Sequence, residues 1–139
     1  MTYALMKYAA MAPALIALAV AAPTTAVAQV RSANLLGTWE GTMSGFFGAR
    51  AVEPQPVKFT IEKTNGRAFG GISQYENRDG QPTDVVFNGV IAPDGDGWAT
   101  NRNGYFNLRL EPDGELHVIF RDAAPQNGQP ITMYGVFKQ

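Results

Sequence analysis

From residue 37 onward, apolar and polar positions alternate with a period of two. Trp39 and Met43, set among Gly37, Gly41 and Gly45, alternate with Thr38, Glu40, Thr42 and Ser44. This predicts a strand with one buried and one solvated face. Its glycines predict strong curvature or close backbone approach. Val57, Phe59 and Ile61 alternate with Lys58, Thr60 and Glu62, a second strand. Asn65-Gly66 follows, and both residues tolerate positive φ, so the pair signals a tight hairpin. Residues 68–75 read as a third strand, with Phe69 and Tyr75 on one face and Ile72 on the other. The same grammar continues through 84–91, 98–102, 105–110, 115–122 and 131–138. Turn signals separate these segments: Asp79-Gly80 with Pro82, Pro93-Asp94-Gly95, Asn103-Gly104 and Pro112-Asp113-Gly114. A longer loop covers 123–130. No stretch repeats at i, i+3, i+4, and Gly or Pro interrupts every window long enough for a helix.

Short connections make sequence neighbours antiparallel spatial neighbours. Eight strands in a meander leave two open edges unless the first pairs with the last, and closure removes them. The expected fold is therefore all-β: an eight-stranded antiparallel up-and-down barrel. Its interior is wide enough to be filled by side chains or to hold one small ligand. A β-sandwich is the alternative. It needs long crossings, which only 47–56 and 123–130 could supply.

Alternation assigns the lining. Trp39 and Met43 come from strand one, and Val57, Phe59 and Ile61 from strand two. Val85, Phe87 and Ile91 come from strand four, and Phe106, Leu108 and Leu110 from strand six. Leu116, Val118 and Phe120 come from strand seven, and Ile131, Met133 and Phe137 from strand eight. In strand five, Trp98, Thr100 and Arg102 share a face that runs from core to rim. The candidate ligand-binding residues are Trp39, Phe59, Phe87, Trp98, Arg102, Phe106, Phe120 and Met133. Gly41, Gly45, Gly70, Gly89 and Gly135 have two readings: room for a ligand, or kinks that close a small barrel.

The segment before the barrel changes the picture. Lys7 is the only charge before Arg31, and residues 9–22 are apolar apart from Pro13. Ala26-Val27-Ala28 ends the segment. A positive start, a short apolar middle and an A-x-A end predict a signal peptide over 1–28, cleaved after Ala28. The apolar run is shorter than the ~20 residues of a spanning helix. The mature chain is then a single β-barrel domain, 29–139, secreted or periplasmic in a bacterium. There is no cysteine, which suits that compartment and excludes disulfides, thiol nucleophiles and Cys-based metal sites. A formal net charge of −1 gives no electrostatic footprint for nucleic acid.

Gly37-Thr38-Trp39 opens the first strand. With eight meander strands it resembles the calycin group: lipocalins, fatty-acid-binding proteins and avidins. In that group a G-x-W motif starts the barrel and its Trp plugs one end of the core, so the resemblance implies that role for Trp39. Avidins carry an Asn two residues after the Trp to hold biotin, and here that position is Gly41. The lipocalin T-D-Y motif is echoed only by Thr83-Asp84-Val85 in mid-chain. The Arg that covers the lipocalin Trp would have to be Lys138 or Arg121. Small periplasmic inhibitors of bacterial metalloproteases look similar in length, export and G-x-W-like start. Their mature N-terminus enters the protease cleft, which makes 29–34 a candidate arm.

Catalytic chemistry finds few carriers. His117 is the only histidine, and it alternates with Leu116 and Val118, facing solvent. Ser32, Ser44 and Ser73 lie in no G-x-S-x-G elbow. Asp94-Gly95-Asp96-Gly97 lacks the twelve-residue ligand series of a calcium loop and reads as a turn. Arg102, Arg109 and Arg121 fall on three neighbouring strands, as a carboxylate-attracting rim or as charged outer faces. No enzyme activity, metal or cofactor is implied. Two functions remain: a binding module for a small apolar or amphipathic ligand, or a protein-interaction module such as a periplasmic protease inhibitor. Exposed Tyr105, Tyr134 and Val136 could form a dimer face, and the oligomeric state stays open.

Overall fold

A computed structural model describes residues 28–77, 79–122 and 128–139. The expected leader, save Ala28, and most of the 123–130 loop lie outside the described residues. The strands are β1 (Gly37–Phe47), β2 (Arg50–Asn65), β3 (Ala68–Glu76), β4 (Pro82–Ile91), β5 (Asp96–Asn101), β6 (Gly104–Leu110), β7 (Leu116–Asp122) and β8 (Ile131–Lys138). Each pairs antiparallel with the next, and β8 returns to β1, closing the expected up-and-down barrel. The closing seam runs from Glu40↔Lys138 to Phe47↔Ile131. No helix among the described residues is long and apolar enough to cross a membrane.

The hairpin turns follow local chemistry. Gly66 takes φ +59° between β2 and β3. In the next two turns at that end, Asp94 and Asp113 accept backbone N–H bonds from Asp96 and Glu115. These are side-chain-stabilised turns rather than ligand loops. Asp96 is further committed to Arg109, 2.6 Å away.

Residues 47–56 are not the crossing loop that a sandwich needs. β1 and β2 meet in a tight hairpin around Gly48, and Phe47 pairs with Arg50. Pro54 and Pro56 hid this extension, because proline cannot donate to a ladder. β3 stops pairing with β2 at Val57↔Tyr75, so both prolines lie where β2 has a partner on one side only.

One end of the barrel is plugged. A 3-10 turn at Ser32–Leu35 lies across it. Val30 donates its N–H to Pro93, and the Ser32 hydroxyl donates to the Gly66 carbonyl at 2.7 Å. Leu35 is fully buried. Trp39, 2% exposed, donates its indole N–H to the Leu35 carbonyl at 2.8 Å. The end-plug role implied for Trp39 matches its position. Lys138 and Arg121, the two cations expected to cover Trp39, are engaged with other residues. Lys138 pairs with Glu115 at 2.8 Å, a hydrogen bond that holds its pKa above the ordinary lysine value. Arg121 donates to Asn107 on the outer face. Arg67 ties the segment before β1 to the end of β4, donating to the Val30 and Ile91 carbonyls.

Above the plug, the expected lining faces inward. Phe59 is the hub of the core. Its ring makes edge contacts with Phe87, Phe106 and Phe137 at centroid distances of 5.7, 5.8 and 4.8 Å. Such pairs add about 0.5–1.5 kcal/mol beyond their area burial.

Trp39→Ala should lower unfolding free energy by about 3–5 kcal/mol in a denaturant titration, as a large core truncation. Trp39→Phe should lose less, about 1–3 kcal/mol, for the Leu35 carbonyl left without its donor. Wild-type stability in the alanine variant would contradict the plug.

Candidate functional site

The interior has two unlike halves. In the plugged half, Phe69, Phe87, Leu108 and Val118 converge on the axis. They leave a void of only about 20 Å³ with an entirely apolar lining, too greasy and small to hold a ligand. Toward the other end the inward positions change. β3 presents Ser73 and Tyr75 where it earlier presented Phe69, and the facing strands present Met43, Phe120 and Met133. A cavity of about 580 Å³ opens between the strand ends. That lies within the ~300–1,000 Å³ of small-molecule sites.

Phe59 and Phe106 form the cavity floor, since both also border the small void beneath. Met43, Val57, Phe120 and Met133 build apolar sides. Phe120 stacks at a tilt on Phe106, 5.0 Å between centroids. Of the polar groups, Ser73 lies level with Phe59, its partner on β2, and the others sit nearer the mouth. Ser73, 2% exposed, donates its hydroxyl proton to the Val85 carbonyl at 3.1 Å. The Tyr75 hydroxyl, from β3, meets Asn103 of the β5–β6 turn at 2.7 Å. That turn is set by Asn101, whose side-chain oxygen accepts the N–H groups of Asn103 and Gly104 at 2.8 and 2.9 Å. Glu76, Asp79, Asp122 and Arg102 border the mouth.

The candidate residues separate by height. Phe59, Phe106, Phe120, Met133 and Arg102 line the cavity. Phe87 lies beneath the floor, against the small void. Trp39 belongs to the plug. Trp98 is on the outside of the barrel, 53% exposed, and does not line the cavity. Gly97 and Ala99 take the inward places of β5 instead. A Cβ on Gly97 would strike the Leu108 side chain, so the crowded half demands the smallest residues. Tyr75, Ser73 and Asn103 are cavity groups that pattern reading did not select. Tyr75 shares the Phe69 face, which was the available signal.

The three arginines do not form a common rim. Arg102 borders the mouth. Arg109 is tied to Asp96 and Glu111 at the opposite end, and hydrogen bonding to Asp96 foremost holds its pKa above the ordinary arginine value. Arg121 lies on the outer face. His117 is also outside, its Nδ1 2.9 Å from the Tyr134 hydroxyl.

The inward glycines are places of close strand approach. A Cβ on Gly45 would overlap the Thr132 carbonyl oxygen and lie 2.8 Å from Met133 Cα. On Gly41 it would meet the Val136 carbonyl, on Gly89 the Trp98 carbonyl, and on Gly135 the Thr42 carbonyl. These obstacles are backbone atoms, so the glycines permit the curvature. Gly70 differs, with its nearest obstacles on the side chains of Asn88 and Lys63.

No protein-family model matches this chain, and no curated protein matches it in sequence.

Gly45→Ala should destabilise the barrel by about 1–3 kcal/mol through overpacking at the seam. Thermal melting checks this. An unchanged melting temperature would mean that the position opens into free space.

Proposed function

We propose that this protein is a calycin-like binding module that holds one small apolar or amphipathic molecule in the open half of its barrel. The observation that carries this reading is the cavity itself: about 580 Å³, floored by Phe59 and Phe106, walled by apolar side chains and open at one end. Apolar walls with a few polar groups near the entrance are the usual composition of a small-molecule site. An apolar ligand body would cover surface that is otherwise wet, at about 25 cal/mol per Å² buried. The leader pattern over 1–28 supports export, to the periplasm or the medium, where the ligand would be met.

The protease-inhibitor form of the protein-interaction alternative relied on a free arm at 29–34. Val30 and Ser32 of that segment are hydrogen-bonded to the plugged end, and Ser32 is buried. An inhibitory arm would first have to leave these contacts, which favours the ligand reading.

Titration calorimetry with 1-decanol should show saturable one-to-one binding with a negative heat-capacity change. Met133→Trp should fill the cavity and weaken binding at least about tenfold while leaving a cooperative melt. Neither tryptophan lines the cavity, so intrinsic fluorescence is a poor reporter and the heat is the readout. Absence of binding for decanol and every other apolar probe would end this reading.

A further inference from the structure

The cavity's polar groups are not spread evenly, and one pair stands out. Tyr75 is an inward-facing position of β3, paired with Val57 on one side and Thr83 on the other. Its ring belongs to the cavity wall, and its hydroxyl meets the Asn103 amide at 2.7 Å. The two residues come from β3 and from the β5–β6 turn, so the bond crosses part of the mouth rather than running along one hairpin. Asn103 is itself held by the Asn101 cap, which fixes where its side chain starts.

Counting donors gives the pair a direction. A tyrosine hydroxyl carries one proton to donate and an asparagine amide carries two. One donor is used between them. Whichever way the amide is turned, two donors are left, and no acceptor for either is found among the described residues. Ser73 is not a competitor, because its proton already goes to the Val85 carbonyl. The wall therefore presents spare N–H and O–H donors at the upper edge of an apolar chamber; the Asn103 amide oxygen beside them can accept as well, and a ligand oxygen that only accepts is served by the donors alone.

The charges nearby decide what kind of acceptor fits. Arg102 is the one cation bordering the cavity among the described residues, against the carboxylates of Glu76 and Asp79. A carboxylate ligand would gain from the first and lose to the other two. An uncharged carbonyl oxygen takes the donors without meeting that opposition.

Resting on the binding reading above, we propose that the Tyr75–Asn103 pair is a specificity element that selects ligands with an uncharged carbonyl oxygen at one end of an apolar body. Phe59 and Phe106 receive the body. Tyr75 and Asn103 hold the oxygen near the mouth and so set which end of the ligand enters first.

A matched pair of probes separates this from plain apolar binding. 2-Decanone and 2-methyl-1-decene have nearly the same shape, and only the ketone has an acceptor. Each is measured by displacement of a neutral, environment-sensitive fluorophore from the protein. The wild type should prefer the ketone by about three- to tenfold, the range of one neutral hydrogen bond. Tyr75→Phe should reduce that ratio, and Tyr75→Phe with Asn103→Ala should bring it to about one. The ratio is taken within each variant, and a cooperative thermal melt of each keeps a folding defect from imitating the result. Equal binding of both probes to the wild type would overturn the specificity element and leave the binding module standing. So would a ratio that survives the double substitution. Failure of both probes to bind would overturn the binding module as well.

Discussion

Pairing of β8 with β1 sets the circumference of this molecule, and the circumference sets what every inward side chain must do. Eight strands enclose a width that side chains can just span. Each level of the interior is then full or hollow according to the residues that its strands present. At the plugged end Trp39, Phe69, Phe87 and Phe137 meet across the axis, and the remaining void is negligible. Higher up, Met43 on β1, Ser73 and Tyr75 on β3 and Met133 on β8 take inward places, and a cavity remains between them. The cavity is thus a result of residue size at fixed strand spacing, and Phe59 marks the level where packing gives way to space.

The seam depends on what it lacks. Gly41 and Gly45 on β1 and Gly135 on β8 face backbone carbonyls of the opposite strand so closely that a methyl group would collide. Strands approach this nearly where a small barrel coils sharply. The interior beside two of them is occupied: Phe137 lies against Gly41, and Met43 and Phe137 lie against Gly135. Of the two readings of these glycines, close strand approach is the one that the seam supports, and none of the three lines the cavity.

Much of the fold was legible because period-two alternation and Asn-Gly or Asp-Gly turns are local signals with a direct physical cause. Phe59, Phe106, Phe120 and Met133 were readable as lining for that reason. Alternation gives two faces but not which is inward when one face is Gly97 and Ala99. Trp98 looked like the buried side chain, and crowding by Leu108 decided otherwise. Pro54 and Pro56 concealed the length of β2, since one-sided pairing is a property of the neighbours. The plug was illegible: nothing in 29–36 announces a 3-10 turn, and Leu35 becomes a core residue only through its contact with Trp39. Tyr75 and Asn103 were hidden for a further reason, because the turn chemistry of Asn101 to Gly104 is a sufficient explanation of those residues until β3 is seen beside them.

The strap of residues 30–36 braces the base of the vessel. It reaches from β1 to the turns after β2 and β4, tying together strands that are not neighbours in the ring. At the lip, the comparable tie among the described residues is Tyr75 to Asn103. The two rims are thus braced unequally: several bonds cross the base and, among the described residues, one side-chain bond crosses the lip. On the binding reading proposed above, the aromatic floor would cap how long a guest can be, and the single tie at the lip how wide.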